Sequence, residues 1–163
     1  MIGRIVRVLT DWQTVSAIQD FHEIKMGAAQ AGFFLRARQM QSSDEASTEA
    51  ELLKLAFKRA TGSFTSGSGG GSSTVVKGQT GDAAHGLATT ERNNTTQAVA
   101  GSGTLETFDA GAFNVLAGEH EQQYIPEEMI PLGPGEALII SLEETPADAL
   151  TVNVVAVLLI THG

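Results

Sequence analysis

The sequence has no cysteine, little proline and few aromatic residues, and these shortages narrow what the protein can be. Without cysteine, neither a disulfide framework nor a thiolate metal site is available. The histidines, His22, His85, His120 and His162, show no spacing typical of metal ligands. The longest apolar run, residues 150–160, is about half the length of a membrane-spanning helix. We therefore expect a soluble protein with no metal, no cofactor and no membrane partner.

Basic residues are also scarce, since 10 of them face 19 acidic residues and give a formal net charge of −9. Acidic proteins are repelled by phosphate backbones, so we expect no nucleic-acid partner. Most basic residues nevertheless fall within the first sixty positions: Arg4, Arg7, Lys25, Arg36, Arg38, Lys54, Lys58 and Arg59. The simplest interpretation is solvated surface charge. The alternative is electrostatic pairing between subunits or with a partner.

The chain is rich in the alternating patterns of β-strands. Residues 33–40 place arginines on one face and apolar side chains on the other. A turn at Gly133–Gly135 precedes a strand at 136–142, and the Val-, Leu- and Ile-rich residues 150–160 are typical of a central strand covered on both faces. Many short strands separated by turn residues predict an all-β fold, an antiparallel β-sandwich or barrel, in one domain over residues 1–163.

Two segments depart from this pattern. At residues 48–60, Thr48–Glu51 has the form of a helix capping box, yet Leu53, Leu55 and Phe57 alternate with polar residues as in a half-buried strand. Between Thr61 and Thr104 the composition becomes rich in Gly, Ser and Thr. The run Gly-Ser-Gly-Gly-Gly-Ser-Ser at 67–73 predicts a flexible surface loop at about residues 62–74, between short edge strands.

Each candidate for a chemical site has a simpler interpretation. The segment Glu119–Tyr124 suggests a cupin-like metal site, but it supplies only one histidine, so we predict a solvated polar loop. The glycine-rich run lacks the Gly-Lys-Ser/Thr of a phosphate loop, and Asp82–His85 lacks a nucleophile elbow. Glu143 and Glu144 are interpreted as exposed charge. We assign no catalytic, cofactor-binding or metal residue and expect a protein that is not an enzyme.

The aromatic side chains are expected in the core rather than on a ligand platform. They occur within predicted strands, where they supply the apolar area that folding needs. The residues concerned are Trp12, Phe21, Phe33, Phe34, Phe57, Phe108 and Phe113.

A resemblance to a known group rests on residues 107–118, which read Thr-Phe-Asp-Ala-Gly-Ala-Phe-Asn-Val-Leu-Ala-Gly, and on residues 124–128 and 146–151. With the glycine-rich loop, these pieces resemble small bacteriophage and prophage proteins encoded among virion morphogenesis genes. The resemblance covers roughly residues 50–160 and departs from the group at the C-terminus, where an aromatic and acidic finish is expected. In that group the segment before the glycine-rich loop is a strand, so we predict a polar loop and then a strand at 48–60.

The resemblance implies a jelly-roll-like fold and a virion structural protein, made in the bacterial host cytoplasm. Its expected role is that of a capsid decoration or cement protein, which binds the major capsid protein as a homo-oligomer, with a homotrimer favoured. Two alternatives stay open. One is a tail-associated carbohydrate- or receptor-binding module, which would need exposed aromatic residues. The other is a cupin-like metalloenzyme, which would need a metal-binding motif.

Overall fold

A computed structural model describes residues 3–44, 50–81, 84–117 and 119–162. These residues form thirteen strands and two single-turn 3₁₀ helices, Val115–Ala117 and Pro126–Glu128. The strands are β1 (Arg4–Leu9), β2 (Gln13–Val15), β3 (Gln19–Met26), β4 (Gln30–Asp44), β5 (Leu52–Thr61), β6 (Gly71–Ser72), β7 (Thr74–Lys77), β8 (Leu87–Asn94), β9 (Thr104–Asn114), β10 (Glu119–Gln123), β11 (Ile130–Leu132), β12 (Ala137–Leu142) and β13 (Leu150–His162). The described ranges contain no helix with the length and apolarity needed to cross a bilayer.

The strands form two antiparallel sheets packed face to face, which confirms the predicted all-β sandwich. Sheet A has the order β10-β4-β13-β1-β7, with β2 and β11 at its margins, and sheet B has the order β6-β8-β3-β12-β5-β9. Eight strands give the jelly-roll arrangement: β1-β13-β4-β10 in one sheet lies over β3-β12-β5-β9 in the other. The remaining strands of the sheet edges, β6, β7 and β8, come from one insertion between β5 and β9.

The core lies between the sheets because alternate residues of each strand point inward. In sheet A, Val8 of β1 and Ala156 and Leu158 of β13 are fully buried, and in sheet B the residues of β12 are buried throughout. Phe34 of β4 packs against Phe57 of β5, with ring centroids 6.1 Å apart.

Two of the aromatic residues predicted in the core lie outside it. Trp12 is 49% exposed and Phe33 is 36% exposed. Trp12 precedes the short strand β2, at the margin of sheet A. Phe33 is on the outer face of β4, because its neighbour Phe34 points inward and successive side chains of a strand alternate.

The ambiguous segment is a strand where the structure describes it. β5 pairs with β12 on one side and β9 on the other, so its backbone is hydrogen-bonded along both edges. Leu53, Leu55 and Phe57 point into the core. The strand prediction is therefore confirmed for Leu52–Thr61, whereas residues 45–49, with the first half of the capping-box pattern, lie outside the described residues.

The insertion at residues 62–103 wraps around one edge of the sandwich. Its outgoing segment, 62–70, and its returning segment, 95–103, cross the outer face of sheet B together and are joined by the bridges Thr65–Val99 and Ser68–Thr96. We call these two segments the flap. Under the flap lies a small second core of Ala60, Ala98, Ala137 and Ile139, with Phe64 and Leu105 packed against it.

The closing strand β13 is central in sheet A, between β4 and β1. Its inner side chains are buried against sheet B, as expected. Its outer side differs in part from the prediction of two covered faces, because Val155 and Leu159 are only half-buried, although Asn153 and Val157 on the same side are each 7% exposed. The outer face of sheet A is therefore open where that of sheet B is covered.

Candidate binding surfaces

His22 is a structural histidine of the core. β3 directs it inward, beside Ile24, while Glu23 points to the opposite face, as the strand pattern predicts. Its Nε2 lies 2.9 Å from the carbonyl oxygen of Val154 and its Nδ1 lies 3.4 Å from Oγ of Ser73. Burial lowers the pKa of His22 to about 4. The neutral ring therefore donates through Nε2 and ties the two sheets together.

Two buried carboxylates hold the flap on sheet B. Glu23 accepts a hydrogen bond from the backbone N–H of Gly67 at 2.9 Å, and Asp20 accepts one from Ala98 at 2.7 Å. Asp20 also accepts the hydroxyl of Ser141 at 2.6 Å. Burial raises the pKa of both carboxyl groups. Each carboxylate thus replaces lost hydration with backbone and hydroxyl donors.

The glycine-rich run is packed closely against β8 and the residue that follows it. A Cβ on Gly70 would overlap the carbonyl oxygen of Arg92 and stand 2.5 Å from Oδ1 of Asn94. A Cβ on Gly67 would stand 2.6 Å from the carbonyl oxygen of Thr96. Gly71, by contrast, has nothing within 4 Å of such an atom. The flexibility expected for residues 62–74 stays a prediction, but several of these glycines have a steric reason to be glycine.

A polar depression of about 300 Å³ lies beside this run. One wall is the glycine ridge Gly69–Gly71, and β2 and the end of β8 supply the other walls. Its lining side chains are mostly amides and hydroxyls: Gln13, Thr14, Gln19, Arg92, Asn93 and Thr95. A second open depression of about 320 Å³, lined by Glu91 and Asn94, lies on the other side of the ridge.

The segment predicted as a solvated polar loop, Glu119–Tyr124, forms strand β10 up to Gln123, and its even-numbered residues point inward. The prediction was wrong because both faces of this strand are polar, which hides the period of two. Tyr124 donates its hydroxyl to Oδ2 of Asp109 at 2.6 Å, and Gln122 donates to the same oxygen at 2.9 Å. Burial, with the Asp109 carboxylate nearby, raises the pKa of Tyr124 above its usual range.

His120 occupies space left by a glycine on the facing sheet. A Cβ on Gly111 of β9 would stand 3.1 Å from Nε2 of His120. His120 pairs with Gln39 of β4, which is 2% exposed. Within the described chain neither Nε2 of His120 nor either amide atom of Gln39 has a hydrogen-bond partner. The contacts of these three atoms with their neighbours are therefore steric.

The outer face of sheet A combines apolar side chains with arginines. We call it the open face. The register of β7, β1, β13 and β4 places on it Ile5, Arg7, Leu9, Phe33, Arg36, Arg38, Met40, Val76, Val155, Val157 and Leu159. Arg38 and Glu119 form a two-bond ion pair at 2.7 and 2.8 Å, and Arg36 pairs with Glu121 at 3.1 Å. The arginines of this face are thus held in place along its β10 side.

No protein-family model, no curated protein and no solved structure matches this chain. The inferences below therefore rest on the sequence and the geometry.

The remaining residues considered in the sequence do not come together. Glu143 and Glu144 are paired with Lys58 and Lys54 on the surface, at 2.7 and 2.6 Å. The ring of His85 accepts the backbone N–H of Leu87 at 3.1 Å. Asp82 and the side chain of His162 lie outside what the structure describes, and its described residues contain no group of three or more His, Asp or Glu placed to hold a metal ion.

The depression and the open face were not found by sequence reasoning. Turn residues such as Asn93 were recognised, but nothing local shows that Gln13 and Gly70 meet across an insertion. The basic residues of the first sixty positions were a partial signal. Arg7, Arg36 and Arg38 of that group share the open face, whereas Lys54 and Lys58 lie on sheet B.

Proposed function

We propose that this protein is a virion structural protein, a head decoration or cement protein that binds the major capsid protein through its open face. The observation that carries the proposal is the asymmetry of the jelly roll. The flap covers the part of the outer face of sheet B around Ala137 and Ile139 with a small core of its own, although Leu52 stays exposed there, whereas Phe33 and Val76 are exposed on the outer face of sheet A. Apolar surface that the chain does not cover is typical of interaction sites.

The charge of the open face defines the partner. Arg7, Arg36 and Arg38 lie on this face, but Arg36 and Arg38 are paired with Glu121 and Glu119, so within the described chain Arg7 carries the unbalanced positive charge of the face. The apolar surface around Arg7 is therefore suited to a partly apolar patch on the shell with an acidic group opposite Arg7. Complementary charge of this kind orients the encounter and disfavours other docking modes.

The size of the open face favours attachment at several points. Four strands spaced about 4.8 Å apart and about six residues long give roughly 400 Å², about half of what each partner of a standard interface buries. One such contact is weak. A homotrimer, as the resemblance implies, presents three open faces to a repeating shell, and linked weak contacts multiply into strong attachment.

The test is co-sedimentation with capsid shells assembled from the major capsid protein of the same genome and lacking any decoration protein. The wild-type chain is expected to bind the shells saturably. Arg7→Glu is expected to weaken binding at least tenfold, because it reverses a charge in the open face. Lys54→Glu makes the same change in net charge on sheet B and is the matched control, with binding expected within twofold of wild type.

The possible outcomes test the proposed function and the assigned binding surface separately. Absence of binding to the shells, or a genome without a capsid gene, would overturn the proposed function. Saturable binding that Arg7→Glu leaves unchanged would support the function and overturn the assignment of the open face. Native mass spectrometry of the free protein gives the number of subunits, for which three is the expected result.

A further inference from the structure

Strand β9 forms one edge of sheet B and leaves one side of its backbone unpaired. It pairs with β5, and within the described chain no strand pairs with its other side. A bulge at Phe108 interrupts the ladder, so the regular part of this edge runs over residues 109–114. The unpaired N–H and C=O groups of such an edge can template the addition of another strand. We call this side of β9 the free edge.

The hydrogen bonds of β9 show which backbone groups face β5. The N–H of Val115 donates to the carbonyl oxygen of Glu51 at 2.9 Å and continues the ladder in register beyond Asn114. Hydrogen-bonded and non-hydrogen-bonded pairs alternate in an antiparallel ladder. The next odd-numbered residues, Phe113 and Gly111, therefore also exchange their backbone hydrogen bonds with β5. The even-numbered residues of this segment point their backbone groups to the free edge.

Part of the free edge is already satisfied within the chain. The N–H of Ala110 donates to Oδ1 of Asp109 at 2.8 Å. The carbonyl oxygen of Asn114 starts the single 3₁₀ turn over Val115–Ala117, in which hydrogen bonds join each carbonyl to the N–H three residues later. The groups left on the free edge are the carbonyl oxygen of Ala110, both groups of Ala112 and the N–H of Asn114.

Small side chains leave these backbone groups accessible. Ala110, Gly111 and Ala112 occupy the middle of the free edge, and residues 109–115 contain neither proline nor lysine. Natural proteins block exposed edges with those residues or by keeping the edge strand short. The edge strands of sheet A are shorter, with four residues in β7 and five in β10. Of the edges that the structure describes, the free edge of β9 is therefore the one best suited to pairing.

Exposed apolar side chains lie at one end of the free edge. Leu52, which is opposite Asn114 in the ladder, is 60% exposed. Leu116, two residues after Asn114, is 55% exposed. Burial of this surface against another chain adds a hydrophobic contribution to the hydrogen bonds that the backbone can form.

From these observations we propose that β9 pairs with β9 of a second copy of this chain, antiparallel and about a two-fold axis at Ala112. Each Ala112 then exchanges both of its hydrogen bonds with the partner's Ala112. The N–H of Asn114 donates to the carbonyl oxygen of the partner's Ala110, and the reverse contact forms by symmetry. This register satisfies every group left on the free edge and brings Leu116 near the partner's Phe108.

The pairing brings no like charges together and has a limited size. Asp109 comes opposite the partner's Val115, so the Asp109 carboxylates of the two copies lie on opposite sides of the axis. The segment 108–116 is about 30 Å long at about 3.4 Å per residue, and two sheets about 10 Å apart give roughly 300 Å² per copy. A stable interface buries about 800 Å² per partner, so the pair is expected to be weak and to form at high concentration.

This contact does not depend on the proposed attachment to a capsid. A two-fold contact uses the same surface of both copies and closes on itself. It therefore doubles whatever assembly the chain forms through its other surfaces, so that a trimer would become a hexamer.

Sedimentation velocity of the full-length protein over a series of concentrations tests the pairing. The mass is expected to double as the concentration rises. Ala112→Pro removes an N–H that points away from β5, so the folded circular-dichroism spectrum is expected to remain and the doubling to disappear. Ala112→Ser keeps that N–H and a small side chain, and it is the matched control that is expected to double as the wild type does.

Single cysteines test the register, because the sequence has no other cysteine. In the proposed pair the two copies of residue 112 have Cα atoms about 5.5 Å apart, within the range that a disulfide spans. The Ala112→Cys variant is therefore expected to form a disulfide-linked dimer under mild oxidation. The two copies of residue 110 lie about 14 Å apart, so the Ala110→Cys variant, although its position is more exposed, is expected to stay unlinked.

A mass that stays constant at all concentrations would overturn the inference. Doubling that Ala112→Pro leaves unchanged would do the same, because the pairing requires the N–H of residue 112. Equal disulfide formation in the Ala112→Cys and Ala110→Cys variants would also overturn it, since random collisions link both. If Ala112→Pro does not fold, the two cysteine variants decide the question on their own.

Discussion

The glycine ridge allows a sharp test of the fold, because neighbouring glycines in one flexible-looking run have opposite surroundings. In Gly70→Ala the new methyl group meets the carbonyl oxygen of Arg92, and the carbonyl carbon of Asn93 lies only 2.8 Å from it. Both neighbours are backbone atoms of the end of β8, so they cannot move aside as a flexible side chain can. Gly71→Ala places the same methyl group in open space.

The two substitutions are expected to change the free energy of unfolding in opposite directions. Overpacking of this kind costs about 1–3 kcal/mol, so Gly70→Ala is expected to lower the melting temperature by roughly 3–10 °C in a chain of this size. Gly71→Ala reduces the freedom of the unfolded chain without strain and is expected to raise stability by about 0.4–1 kcal/mol. Neither glycine has a φ in the left-handed region, so backbone strain does not complicate the comparison.

The assay is thermal unfolding of both variants followed by circular dichroism, with hydrogen exchange at the amides of Ser68 and Thr96. These two residues bridge the flap, so Gly70→Ala is expected to speed their exchange and Gly71→Ala to leave it unchanged. Equal melting temperatures and equal exchange in the two variants would refute the reasoning. They would mean that the glycine-rich segment moves freely, as its composition predicts, and is not packed on β8.

Three further predictions concern buried polar groups. The imidazole of His22 has a pKa of about 4 against an ordinary 6.5, so we expect its NMR signals to show no titration above pH 5. Because the buried ring is neutral, the free energy of unfolding is expected to fall by roughly 3 kcal/mol as the pH falls from 6.5 to 4. Titration of His22 near pH 6.5 would contradict this prediction. The effect of Glu23 has the opposite sign, because burial raises its pKa and the folded state keeps a proton that the unfolded state loses. Glu23→Gln is therefore expected to flatten the decline in stability that denaturant titrations show as the pH rises above 4.5. Tyr124→Phe removes the hydroxyl bound to Asp109 and is expected to cost about 1–2 kcal/mol in urea unfolding, whereas an unchanged midpoint would show that this bond contributes nothing.

Sequence reasoning located most strands because their burial is one-sided or complete. β12 and β13 are nearly continuous apolar runs, so their hydrophobic pattern indicates their position directly. The pattern of β5 also fits a helix, and the strand was predicted there through the resemblance. β10 escaped because its inward side chains, such as His120 and Gln122, are as polar as its outward ones. The inward side chains at this margin of the sandwich form hydrogen bonds to Asp109 instead of packing as apolar groups. The sequence of β10 therefore shows no alternation of apolar and polar residues.

The candidate sites were harder to predict, for a different physical reason. The sequence does not show whether a glycine serves chain flexibility or close packing. Only the position of β8 shows that Gly70 is closely packed and Gly71 is not. The sequence predicts Trp12 in the core because tryptophans bury much of their area, yet its side chain is 49% exposed just before β2. Sites assembled from β2, β8 and an insertion depend on contacts between residues more than fifty positions apart, such as Gln19 with Asn93.

The flap also limits how copies of this chain can assemble. A sandwich with two open outer faces is able to stack face upon face without end, as building blocks of fibres do. Here the second core around Ile139 covers the middle of one of the two broad surfaces from within the same chain. A copy bound through the open face therefore turns the flap toward solvent, and a further copy would meet the flap instead of a bare sheet.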